Sequence, residues 1–548
     1  MKTVDVVIIG GGPAGSTVGT LLKKYFPYLH VVLLESARFP RHHIGESMLA
    51  GSTPVLKELD VYDKIASFGF PEKLGATYVW GRNGEQWGFE FQEIDGQLKR
   101  QGVSLSRDYF KGWQVTRADY DHILLDHAAE YGVEVLEGAR VTEVRVETNA
   151  RRGVTFVQDG AEHEIRADLV VDCSGQKAVL GNLFRLKRWD ARLNNVAIYG
   201  YWEGARWKFE YVGHPNITRI LIATTERGWI WYIPVRRNTI SVGFVTHADI
   251  ARGFKLADAY FDELRQSPEV SDLLAPAKLV RLTPDQRTDL LTERDWSYTC
   301  ERMTGDGWML VGDAAGFVDP ILSSGVLLAH QNGQKAAYTI TSVFSGSNPA
   351  YHEKYWRFYE TTYKQMLGAY REMASAWYAN NFSRETWWWQ AWRQIALAND
   401  EKNVLTDRDS FMRLASGYAN RTESTSLFGS YTIAEAAHLA GHLFPQSDTK
   451  PVPARDFALR LSSSAQLTTG FVFHNGRIHH TTRVVNPETA QYLDLYPGEV
   501  AGLNRLRVGC MSSDFTSNAV GGEDPIVTLR SPSQLLTQLE QLQVLDVS

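Results

Sequence analysis

Val4-Asp-Val-Val-Ile-Ile9-Gly10-Gly-Gly12-Pro13-Ala14-Gly15 is a short β-branched run that stops at three consecutive glycines. Beyond it Ala14–Lys24 takes on helical spacing, and Val31–Leu34 returns to strand character and ends in Glu35 and Ser36. Strand, glycine turn, helix and strand, with an acid roughly 20 residues after the glycines, is the fingerprint of a βαβ dinucleotide fold. Gly10 permits the tight turn, Gly12 lets backbone approach a pyrophosphate, and Gly15 lets helix and strand pack closely. The helix start at Pro13 and Ala14 offers free N–H groups to the anion. Glu35 would accept from ribose hydroxyls and repel a 2′-phosphate, so FAD or NAD fits better than NADP.

The rest of the composition is that of an ordinary globular enzyme. The 548 residues are 44% hydrophobic and 22% charged, a length that suggests several structural units. A net charge of −6 argues against a nucleic-acid partner, which needs a basic footprint. Cys173, Cys300 and Cys510 are widely spaced, so neither a disulfide framework nor a metal site is expected, and a reducing compartment is. No apolar run reaches the ~18 residues of a spanning helix, and the N-terminal run is too short for a signal segment. The sequence therefore reads as a soluble cytoplasmic protein with no membrane partner. Sixteen tryptophans, with 24 Phe and 24 Tyr, are enough rings to line a pocket as well as a core.

Four further segments narrow the cofactor. Arg41 precedes Gly45-Glu46-Ser47, and Arg117-x-Asp119-x-Asp121 opens a helix ahead of the strand Val133–Leu136. Asp168-Leu-Val-Val-Asp172-Cys-Ser174-Gly175 is a buried strand with a Ser-Gly turn. Gly312-Asp313 follows the apolar segment Trp308–Val311. In this order the segments resemble the FAD-containing aromatic hydroxylase superfamily. The resemblance implies that Asp313 approaches the ribityl chain and that a helix starting near Gly325 and Val326 points at the flavin.

Gly228-Trp229-Ile230-Trp231-Tyr232-Ile233-Pro234 carries the pattern WxWxIP and looks like the signature of flavin-dependent halogenases. Trp229, Trp231 and Ile233 share one face of a strand. With Pro234, they are implied to separate flavin from organic substrate. Phe70-Pro-Glu-Lys73-Leu-Gly75-Ala-Thr-Tyr-Val-Trp80 is similar to the segment that bears the halogenase lysine, which makes Lys73 the implied catalytic residue. Asp319-Pro320-Ile-Leu322-Ser323-Ser324-Gly325 resembles the halide loop, with the backbone N–H groups of Ser324 and Gly325 as donors. Leu322 stands where tryptophan halogenases carry a glutamate. The likeness is thus closer to halogenases of phenols, pyrroles or carrier-tethered substrates.

What the resemblance implies is an FADH2-dependent halogenase of natural-product biosynthesis. Reduced FAD would come from a separate NAD(P)H flavin reductase. With oxygen and chloride or bromide it would yield hypohalous acid, relayed through Lys73 to an electron-rich carbon. The alternatives are an aromatic monooxygenase, a halogenase of an activated aliphatic carbon, and a flavin binder without turnover. The expected fold is α/β: a Rossmann-type FAD-binding core over 1–332 with an inserted antiparallel substrate sheet at about 190–300. A helical region over 333–445 carries the stripe Trp356, Tyr359, Tyr363, Met366, Tyr370, Met373 and Trp377. Trp387, Trp388, Trp389 and Trp392 are read as packing of that region, Pro445–Arg455 as a linker, and 456–548 as a small mixed domain.

Overall fold

The run Lys2–Ile9 lies at the centre of a parallel array in the order Trp308–Leu310, Ala161–Asp172, Lys2–Ile9, Val31–Glu35 and Glu134–Glu137. Strands buried on both faces need no polar alternation, which is why these segments read as continuous apolar runs. The computed structural model describes residues 2–379, apart from 81–85, 96–105, 147–151, 212–213, 285 and 347, and parts of 412–547, chiefly 458–495. The helix Pro13–Tyr25 packs beside Arg117–Glu130 and Gly325–Phe344. Among the described residues no helix is long and apolar enough to cross a membrane.

A second sheet runs Gly316–Phe317, Leu290–Cys300, Lys187–Glu203, Thr239–His247, Trp229–Arg236, Ile217–Thr224, Glu72–Val79 and Gln86–Glu90. It differs from the expected antiparallel insertion at 190–300 in two ways. It recruits Glu72–Val79 from the N-terminal third, and that strand pairs in parallel with Ile217–Thr224. Its two faces lead to different cores. Ile230, Tyr232, Val242 and Phe244 pack with Tyr260 and Leu264 of the helix Leu256–Gln266. On the other face, Tyr199, Tyr201, Ile220, Ile222, Trp229 and Trp231 join the main core beside the nucleotide fold.

The boundary expected at 332 falls inside the unbroken helix Gly325–Phe344. His352–Ala379 follows, and Tyr359, Tyr363, Met366, Tyr370, Met373 and Trp377 of the expected stripe are buried, with Trp356 at its margin. Within the region expected to be helical, Ser426–Phe428 and Tyr431–Thr432 form a strand pair. Gln466–His474, Arg477–Asn486 and Gln491–Leu495 form an antiparallel sheet. Trp387, Trp388, Trp389, Trp392 and the Pro445–Arg455 segment lie outside the described residues.

Candidate active site

The two sheets enclose a cavity of about 430 Å³. Its nucleotide end is formed by Gly10, Gly12, Pro13, Ala14, Glu35, Ser36 and Arg41, with Ser174 and Gly175 from the neighbouring strand end. Gly12 precedes the helix Pro13–Tyr25 without a side-chain cap, so the first-turn N–H groups are left for an anion. Glu35 is fixed by the N–H groups of Gly11 at 2.7 Å and Ala37 at 2.8 Å. Asp172 accepts from the backbone N–H groups of Ser174 at 3.0 Å and Leu180 at 2.7 Å, which shapes the Ser174-Gly175 turn. Gly15 and Gly312 are packed behind the cavity wall.

The middle of the cavity is lined by Gly45, Glu46, Ser47 and Arg117. The Arg117 fork donates to Asp121 at 2.7 and 2.9 Å, and Nη1 donates to the Ile44 carbonyl at 2.6 Å. Arg117 therefore holds the Gly45 loop against the site. Burial pushes the Glu46 carboxyl up to about 7. Burial likewise pushes Asp313 up to about 7, against the pull of the Arg117 guanidinium. An elongated cavity with an uncapped helix start at one end suits FAD. The Nη1 of Arg41 and the Ser47 hydroxyl are both buried with no hydrogen-bond partner among the described residues, as a polar ligand would require.

At the far end Pro320, Ser323, Gly325 and Val326 line the cavity. Asp319 caps the short turn Pro320–Leu322 by accepting from Ile321 N–H at 3.0 Å, and Ser323 is left-handed at φ 55°. Ser324 then begins the 20-residue helix Gly325–Phe344 without a side-chain cap. The Ser324 side chain is fully buried and its hydroxyl has no hydrogen-bond partner among the described residues, while Ser323 and Gly325 line the cavity.

The opposite wall is Trp229, Trp231 and Ile233, with Ala197, Ile220 and Ile222 from adjoining strands. Trp229 donates to the Tyr378 hydroxyl at 2.7 Å, and Trp231 donates to Ser241 at 3.2 Å. Pro234, expected in the same wall, is corrected by strand alternation. It pairs with Ile240, on the outer face, and marks a register irregularity because it has no N–H to give.

Lys73 is outside the cavity lining but on the cavity face of the sheet. Lys73 pairs with Thr218, yet Ala76 pairs with Ile220, so this strand carries one extra residue over that step. Such a bulge inverts the alternation. Lys73 thereby shares a face with Ala76 and Tyr78, whose neighbours Ile220 and Ile222 line the cavity. Lys73 is buried with its ammonium 5.5 Å from the Phe91 ring centroid, and desolvation lowers it to about 7. Gly75 sits within the bulge, where a Cβ would come 1.9 Å from the Phe89 carbonyl oxygen.

Sequence reasoning missed Gly243, which lies across from Trp231. A Cβ there would come 2.1 Å from the indole, so the ring rests on bare backbone. A glycine inside the β-branched run Thr239–Val245 was the available signal. It also missed Arg140, Val141, Glu293 and Phe317 in the lining. Arg140, Val141 and Phe317 come from strand ends, and Glu293 from within Leu290–Cys300 opposite Ala197, none with a local motif.

A glycine-cradled dinucleotide cavity facing an aromatic sheet defines an FAD-dependent oxidoreductase. The protein-family model for tryptophan halogenase matches residues 5–111 and 97–430. The chain belongs to this family and is a flavin-dependent halogenase that uses FAD, oxygen and halide. A tryptophan 2-halogenase of Chondromyces crocatus is 32% identical over 430 residues, 76% of each chain. A 1H-pyrrole-2-carbonyl-[peptidyl-carrier protein] chlorinase of Pseudomonas fluorescens is 33% identical over 353 residues, 61% of this chain and 74% of the relative. The solved myxobacterial chondrochloren halogenase superposes with a TM-score of 0.62 at 28% identity, covering 80% of this chain and 97% of its own.

Proposed function

We propose that the enzyme halogenates an electron-rich phenol- or pyrrole-type carbon, free or tethered to a carrier protein, in natural-product biosynthesis. In this reading a separate NAD(P)H reductase supplies the reduced cofactor. The observation that carries it is the buried amine of Lys73 on the cavity face. Bound FAD supplies the oxygen-activating redox chemistry. Ser324 and Gly325 hold chloride or bromide by backbone donors at the helix start. Trp229, Trp231 and Ile233 keep the organic substrate from the cofactor, and hypohalous acid passes toward Lys73. With its pKa near 7, Lys73 can hydrogen-bond the acid as ammonium. As the free amine it can take the halogen: R–NH2 + HOX gives R–NHX + H2O.

Free tryptophan is the second reading, favoured by the name of the Chondromyces relative. Against it stands Leu322, buried and apolar where the resemblance expects a glutamate. The test combines enzyme, a flavin reductase, NADH, oxygen and bromide with phenol, pyrrole and tryptophan substrates, free and carrier-bound. A bromine isotope doublet on a phenol or pyrrole is the expected result. Lys73→Ala should lose at least ~100-fold in product while FAD stays bound. Full product from that variant, or bromination of tryptophan alone, would overturn the reading.

A further inference from the structure

Halogenation has a proton balance. The overall reaction FADH2 + O2 + X⁻ + H⁺ + R–H gives FAD + R–X + 2 H2O, so each turnover consumes one proton. Hydroxylation, FADH2 + O2 + R–H giving FAD + R–OH + H2O, consumes none. A halogenase of this architecture therefore needs a route for protons from solvent to the oxygen atoms that leave as water.

The structure holds one continuous chain of suitable groups beside the cavity. Glu46 lines the cavity and is 2% exposed. Its Oε1 accepts from the Tyr201 hydroxyl at 2.7 Å. The Tyr201 oxygen lies 2.9 Å from Nε2 of His42, which is half-buried. With the phenol proton given to Glu46, His42 is the donor in that second contact. The His42 ring is held by Tyr199, stacked at 6.0 Å, and by the edge of Tyr201 at 5.8 Å. The Oε2 of Glu46 is buried with no hydrogen-bond partner among the described residues.

We propose that His42, Tyr201 and Glu46 form the proton relay that feeds the halogenation cavity. A His42 imidazolium gives its Nε2 proton to the Tyr201 oxygen as the Tyr201 O–H passes to the Glu46 carboxylate. The Glu46 O–H then protonates oxygen leaving the cavity as water, and His42 is recharged from solvent. Burial favours the neutral forms this requires. It pushes Glu46 up to about 7, and burial together with the Glu46 charge keeps the Tyr201 phenol protonated. The other groups acting on Glu46 are the Ser241 hydroxyl from the sheet and the Arg117 guanidinium, both of which favour the carboxylate. The carboxyl is thereby poised between its two forms near neutral pH.

The proposal rests on the halogenase reading, and proton counting separates the two. Single turnovers of the holoenzyme in weakly buffered solution with a pH-indicator dye should show one proton taken up per halogenated product. Tyr201→Phe and His42→Ala should each slow uptake and product together by ~10-fold or more, with FAD affinity unchanged. Imidazole should restore His42→Ala but not Tyr201→Phe. In the resting protein, infrared titration should show a protonated-carboxyl band near pH 7 that Glu46→Gln removes and Tyr201→Phe shifts. Wild-type rates of uptake and product in both variants, or no rescue by imidazole, would overturn the relay. A wild-type enzyme that oxygenates its substrate with no net uptake would instead overturn the halogenase reading.

Discussion

At the residue scale, the site depends on where two glycines allow atoms to be. Gly243 leaves room for the Trp231 indole, and Gly75 lets the bulge that carries Lys73 lie against Gln86–Glu90. The 1.9 Å approach at Gly75 is to a backbone carbonyl, which cannot rotate away as a side chain could. Gly75→Ala should therefore force the two strands apart at a cost of ~1–3 kcal/mol. The residue two positions away that feels this is Lys73, whose lowered pKa depends on dense burial. Product should fall ~10-fold or more while FAD affinity holds, measured as turnover per bound FAD; equal loss of both would sink the explanation. The Lys73-x-Gly75 spacing was legible as a motif. The reason for it was not, because a bulge is defined by the partner strand at Thr218–Ile220, about 140 residues away in sequence.

At the element scale, the loop proposed to hold halide is fastened through the Asp319 carboxylate. Asp319 accepts from Asn195 at 2.6 Å, from Ile321 N–H at 3.0 Å, and from the Tyr378 hydroxyl at 2.9 and 3.0 Å. The same hydroxyl accepts from Trp229, so the last turn of His352–Ala379 joins the loop to the aromatic wall. Sequence reasoning found the helix, the loop and the wall as separate elements. Their junction is a tertiary hydrogen bond with no local pattern. Tyr378→Phe keeps the ring but strands the Trp229 N–H, a loss of ~1–3 kcal/mol. The expected outcome is a several-fold rise in halide KM and more peroxide released per product, with FAD affinity unchanged. A halide dependence identical to wild type would show that the loop is held without Tyr378.

At the scale of the whole molecule, the active site lies between two sheets and is backed by a third. The glycine fingerprint made the first sheet legible, because its strands are local to their turns. Strand Glu72–Val79 was not legible as part of the second sheet, since its partners lie far along the chain. The third sheet was readable in principle. Asn475-Gly476, between alternating runs, is a hairpin turn signal, and both residues take positive φ, 42° and 78°. That hairpin does not cap the cavity. Phe473 stacks on Phe358 at 4.7 Å and meets Tyr338 at 6.3 Å and the Lys335 ammonium at 4.9 Å. Ile478 N–H donates to Ser342 at 2.7 Å. All of these partners lie on the two helices, away from the cavity lining, so the sheet braces the helix Gly325–Phe344 that follows the proposed halide loop. Phe473→Ala should open a cavity costing ~3–5 kcal/mol and lower the melting temperature. Turnover per folded, FAD-loaded enzyme should stay at the wild-type value, because no group that lines the site is touched. A fall in halogenation without a fall in melting temperature would mean that the third sheet acts on chemistry and not on stability.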